Sequence, residues 1–122
     1  MENGGYIMGY NLKTLTRDLK EKGLAEDELV GYGQNAVGAI AALSSPMYAI
    51  SCANGKIIIT PFTNKAIDFA NKKEIDAKDI VEAKVSGLLT GKLKIKTTNG
   101  TTSYPIVQGK GAVKQILVKL GL

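Results

Sequence analysis

A chain of 122 residues, 44% hydrophobic and 22% charged, is long enough to bury one continuous core and has the composition of an ordinary globular domain. It contains no histidine and a single cysteine, Cys52, which excludes Ser-His and Cys-His catalysis, an internal disulfide and the usual zinc and haem ligand sets. The net charge of +5 sits in the C-terminal half: residues 62–122 hold eleven lysines against five acids, whereas residues 1–61 hold five basic against six acidic side chains.

Residues 1–10 have neither the basic start nor the apolar core of a signal peptide and are expected to form a flexible N-terminus ahead of one domain spanning 11–122. The longest apolar run, 36–43, is far short of a membrane span, so the expected location is cytoplasmic. Asn11 can cap a helix over 12–22, in which Leu12, Leu15 and Leu19 share one face and Gly23 with Leu24 supplies a Schellman-type stop. So short a helix is marginal in water, and its leucine face is expected to dock on the protein's own sheet. Lys13, Arg17 and Lys20 line the stripe beside it, where contact with a membrane surface is the alternative.

A β-meander is expected over about 28–107. A first strand fits 29–34. The next stretch, 35–46, is rich in Gly, Ala and Ser and punctuated by Val37, Ile40 and Leu43; these three are candidates for an interface loop, and an ordinary connection is equally compatible with them. Strands at 48–52 and 56–62 flank Asn54-Gly55, a pair suited to the positive φ angles of a tight hairpin. Cys52 shares a strand face with Tyr48 and Ile50, which marks it as a small core residue.

Lys65, Lys72 and Lys73 surround a connection containing Ile67 and Phe69. That mixture could touch an anionic membrane, or the two apolar residues could fold into the core. Residues 72–76 and 79–86 read as short strands, with Ile80 and the alternation of Val81, Ala83 and Val85 forming a half-buried surface. Residues 92–96 alternate strictly: Lys92, Lys94 and Lys96 on one face, Leu93 and Ile95 on the other. The lysines could form an anion-binding ridge or a solvated face that discourages edge pairing. Asn99-Gly100 turns the chain into 101–107, where Pro105 predicts an edge strand. A helix over 110–120 closes the chain, with Val113, Ile116, Leu117 and Leu120 as its apolar stripe.

The order of these elements, a run of antiparallel strands and then one amphipathic helix, resembles the bacterial pleckstrin-homology-like (PH-like) domains. The string from Tyr48 to Thr60, ending in Ile57, Ile58 and Ile59, is similar to that family's two strands joined by a tight turn. The string from Glu74 to Val85 is similar to its short strand, polar turn and Ile-led next strand. The resemblance covers about residues 28–122 and implies a mainly β fold, a PH-like antiparallel barrel or meander capped by the C-terminal helix, with the short N-terminal helix added. Two departures matter. No basic residue lies between Lys22 and Lys56, where phosphoinositide-binding PH domains carry their headgroup ligands, and the chain lacks the tryptophan of most eukaryotic members.

The resemblance implies a scaffold with no catalytic residues, cofactor or metal to carry over. The expected function is therefore a noncatalytic binding or assembly module that engages a protein partner or itself. The alternative is peripheral attachment to anionic membranes through the lysine-rich half. Fifteen of the sixteen basic residues are lysine, whose point charge suits loose anion attraction and argues against sequence-specific nucleic-acid recognition.

Overall fold

The structure, a computed structural model, describes residues 11–34, 47–63, 65–88 and 91–122. The expected flexible terminus and the interface residues Val37, Ile40 and Leu43 lie outside the described residues. Helix α1 spans Leu12–Glu21. Strands β1 (Gly31–Gln34), β2 (Met47–Ala53), β3 (Lys56–Phe62) and β4 (Lys73–Asp76) follow, then β5 (Ile80–Ser86), β6 (Gly91–Thr97) and β7 (Gly100–Ile106), and last helix α2 (Lys110–Leu120). All strand pairings are antiparallel and sequential, giving a four-stranded sheet β1-β2-β3-β4 and a three-stranded sheet β5-β6-β7.

Of the expected barrel or meander, the strands form two antiparallel sheets that do not close into a barrel. A one-turn helix, Ala77–Asp79, redirects the chain between β4 and β5, and no ladder joins these strands. On the other side the sheets meet at one bridge, Tyr32 with Gln108. There the Tyr32 N–H donates to the Gln108 carbonyl at 2.9 Å and the Val107 N–H donates to the Tyr32 carbonyl at 2.8 Å.

Two apolar clusters explain the sequence pattern. The first lies between the sheets: Tyr48, Ile50, Cys52, Ile57 and Ile59 face Ile80, Leu93, Ile95 and Ile106, and Val113, Ile116 and Leu117 of α2 close the space. The second lies on the opposite face of the four-stranded sheet, where Leu15 and Leu19 of α1 pack with Ala49, Ala53, Ile58 and Phe62. The isoleucine triplet is unbroken because β3 is covered on both faces. Small residues Ala49, Ser51 and Ala53 on β2 let the helix approach, and the Ser51 hydroxyl donates to the Leu24 carbonyl at 2.6 Å.

Local signals set the ends of the elements. Asn11 accepts from the Thr14 N–H at 3.0 Å while its own N–H donates to the Thr14 hydroxyl at 3.1 Å, a reciprocal cap at the start of α1. At its end the Leu24 N–H reaches the Leu19 carbonyl (2.8 Å) and the Gly23 N–H reaches Lys20 (3.1 Å), with Gly23 at φ 74°: the Schellman stop the sequence predicts. Asn54 (φ 56°) and Gly55 (φ 75°) turn β2 into β3. In the second hairpin the turn falls instead on Thr98 and Asn99, because Gly100 pairs with Thr97 as the first residue of β7. A bulge between Ile80 and Glu82 corrects another expectation: Val81 is thrown outward and 62% exposed, and the parity change lets Ile80 share the inner face with Ala83 and Val85.

Candidate functional site

Three arrangements could carry function: an open cleft between the sheets, the outer face of the three-stranded sheet, and the β3–β4 connection. The cleft, about 540 Å³, opens where the sheets diverge. β4 forms one wall through Lys73, Glu74, Ile75 and Asp76, and the end of the β6–β7 hairpin forms the other. Ile75, Ile95 and Tyr104 contribute apolar surface, while Thr97, Thr98, Thr101, Thr102 and Asn99 give a polar lining. Among the described residues β4 ladders only with β3, and β7 ladders only with β6 while the chain just past its end bridges to Tyr32 of β1. An edge strand presents backbone donors and acceptors to an incoming chain. Pro105 on β7 fits that edge position, as its sequence context predicts, because it has no N–H to donate.

Glu74 is held by two lysines, Lys56 at 3.1 Å and Lys72 at 3.7 Å, and its carboxyl lies below the usual range chiefly through the Lys56 hydrogen bond. The cleft wall is therefore charged but internally compensated at that point. Tyr104 meets Tyr48 edge to face, ring centroids 5.7 Å apart, and the buried Tyr48 hydroxyl donates to the Pro105 carbonyl at 2.6 Å. Burial pushes the Tyr48 phenol above its ordinary value, so it remains a donor.

On the outer face of the three-stranded sheet, Lys92, Lys94 and Lys96 all point to solvent while Leu93 and Ile95 are buried, as the alternation requires. The register adds a residue that the sequence did not single out: Lys84 of β5 stands directly opposite Lys94. Ser86 faces Lys92, Glu82 faces Lys96, and Thr101 and Ser103 of β7 face Lys96 and Lys94.

The lysines of the β3–β4 connection do not join that face. Lys65 is exposed, Lys72 is taken by Glu74, and Lys73 lines the cleft, all on the side of the other sheet. Ile67 is buried in the α1 cluster and Phe69 is half-buried against it, with the Lys22 ammonium 5.1 Å from the Phe69 ring centre. Of this apolar pair, Ile67 belongs to the core and Phe69 packs on its margin. Of the α1 stripe, Lys20 pairs with Glu28 and Arg17 with Asp18. Leu15 and Leu19 are fully buried against the sheet.

Cys52 is 1% exposed, and burial pushes its thiol up. Among the described residues no group of three or more Cys, Asp or Glu side chains is arranged to hold a metal ion, and no helix is long and apolar enough to cross a membrane. No protein-family model, no curated protein and no solved structure matches this chain.

Proposed function

We propose that this chain is a noncatalytic PH-like module of the cytoplasm that binds a protein partner, or a second copy of itself, by taking an extended segment into the cleft between its sheets. The observation that carries this reading is the outer edge of β4, which among the described residues ladders only with β3, beside an open cleft lined by the half-buried Ile75 and Tyr104. Backbone pairing along an edge supplies affinity, and alternate side chains of the added strand can reach apolar surface on one face only. The PH-like assignment draws support from the four-plus-three strand arrangement and from α2, which packs its Val113, Ile116 and Leu117 into the core between the sheets.

Light scattering coupled to size-exclusion chromatography, at several protein concentrations in low and high salt, tests the self-association arm. A discrete oligomer that survives high salt and is lost on substituting Ile75 by Asp supports the reading. A monomer under all conditions refutes self-association and leaves a heterologous partner. That arm is tested by selecting extended peptides and asking whether Ile75→Asp abolishes their binding.

A further inference from the structure

The outer face of the three-stranded sheet carries a charge pattern that folding alone does not favour. Lys84 and Lys94 are directly opposed, and Lys92 and Lys96 flank Lys94 along β6. Directly opposed residues in an antiparallel pair hold their Cβ atoms about 4.5–5.5 Å apart, and like charges there destabilise the sheet. Neighbouring lysines along the strand are about 6.8 Å apart. One acid, Glu82, stands in this field, opposite Lys96. All four lysines are exposed, and none makes an ion pair among the described residues. Both helices pack elsewhere: α1 on the four-stranded sheet and α2 into the core between the sheets.

A second feature follows β5 in the chain. Beyond Ser86, which is opposite Lys92, the chain turns at Gly87 and Leu88, and Leu88 is 96% exposed. The turn is anchored from α2: the Lys110 ammonium donates to the Gly87 carbonyl at 2.8 Å and to the Leu88 carbonyl at 3.0 Å. The backbone is therefore held while the leucine side chain is left in water.

We infer that this face, Lys84, Lys92, Lys94 and Lys96, together with Leu88 in the turn that follows β5, docks on an anionic lipid surface. The lysines lie on one sheet face and so present a broad positive array, which complements a planar negative surface. The exposed leucine can enter the interfacial region of a bilayer. A single-stranded nucleic acid would call for aromatic platforms or arginine planes, and the outward positions of this face have neither. The inference uses a different surface from the cleft and stands independently of the proposed protein partner.

Co-sedimentation with vesicles of mixed phosphatidylcholine and phosphatidylglycerol tests it, with phosphatidylcholine alone as the neutral surface. The full chain sediments with the anionic vesicles at low salt, and added salt weakens that binding. Replacing Lys84 and Lys94 by Gln relieves their repulsion, so the variant remains folded by circular dichroism. Its partition falls by roughly 25-fold, at about fivefold for each lysine near an anionic surface. Replacing Lys65 and Lys78 by Gln removes the same charge from elsewhere and changes partition by less than about twofold. Leu88→Ser lowers the fraction that stays bound in high salt. No sedimentation with anionic vesicles, equal losses in the two double variants, or tighter binding to a labelled single-stranded oligonucleotide than to the vesicles would overturn the assignment.

Discussion

Gly33→Ala should be the most damaging conservative change in the first strand, and the structure sets its size. A Cβ at this position would collide with the Pro105 carbonyl group, its carbon only 2.8 Å away, and would stand 3.0 Å from the Tyr48 hydroxyl. The obstacle is backbone, so no side-chain rotation relieves it; β1 and the end of β7 must move apart. That movement strains the Tyr48–Pro105 hydrogen bond and the Tyr32–Gln108 bridge, the junction of the two sheets. Overpacking costs about 1–3 kcal/mol. Each weakened hydrogen bond adds about 0.5–1.5 kcal/mol. The lower entropy of an unfolded chain with Ala in place of Gly returns about 0.4–1 kcal/mol. The net loss is about 2–4 kcal/mol, which at an unfolding entropy of about 2.1 cal/mol/K per residue lowers Tm by roughly 8–15 °C. Thermal and urea unfolding followed by circular dichroism measure it. Gly111→Ala is the matched control: its Cβ meets nothing within 4 Å and it lies in α2, so stability should rise by up to about 1 kcal/mol. A Gly33→Ala protein as stable as the parent would refute the close approach of β1 to β7.

Three further outcomes are expected. The Thr60 hydroxyl is buried without a hydrogen-bond partner among the described residues, so Thr60→Val should raise stability by about 1 kcal/mol, or about 4 °C in Tm, in the same unfolding assays. Lys119 on α2 bonds Asp27 at 2.7 Å and Glu26 at 3.2 Å. Asp27 is lowered first by the Lys119 hydrogen bond, and Glu26 first by the Asn54 N–H and then by Lys119. The folded protein then binds fewer protons than the unfolded chain through the ordinary carboxylate range, so this stabilisation is complete above that range and is lost as pH falls through the lowered folded values. Lys119 itself is raised, so its contribution is full below its ordinary value and fades only at strongly alkaline pH. Urea unfolding at a series of pH values should show the parent more stable than Lys119→Gln at neutral pH, with the gap closing in acid and shrinking in high salt. Cys52 should react with a thiol reagent only after urea unfolding; rapid labelling of the native protein would contradict its burial.

How far the fold could be read depended on whether a segment has one covered face or two. β6 buries one face, so the alternation of Lys92 to Lys96 identified both its core residues and its solvent residues directly. β3 is covered on both, and Ile57, Ile58 and Ile59 mark a strand without saying that Ile58 meets α1 while its neighbours meet the other sheet. The helix ends were legible because caps are local: Asn11, Gly23 and Gly121 act on groups within a few residues of themselves. The bulge at Val81 was hidden by its own effect. Ile80 and the pair Ala83 and Val85 have opposite parity in the sequence, and only a bulged residue reconciles them on one face.

The two surfaces with the best claim to function were legible only in part, for a different reason. A cleft between β4 and the β6–β7 hairpin depends on how two sheets diverge, and its threonines carry no signature until the strands are placed. Lys84 could not be joined to Lys94 without the register that opposes them. That register is what sets the charges of this face against one another. Solubility is served by interspersed charges of both signs, as Glu82 opposite Lys96 provides. Two lysines facing each other, with two more beside them and no acid between, cost stability that an exposed neutral or acidic residue at position 84 would not. Neither that cost nor the exposure of Leu88 on an anchored turn is required by the interior of the protein, and both are what the inferred lipid-docking role would account for.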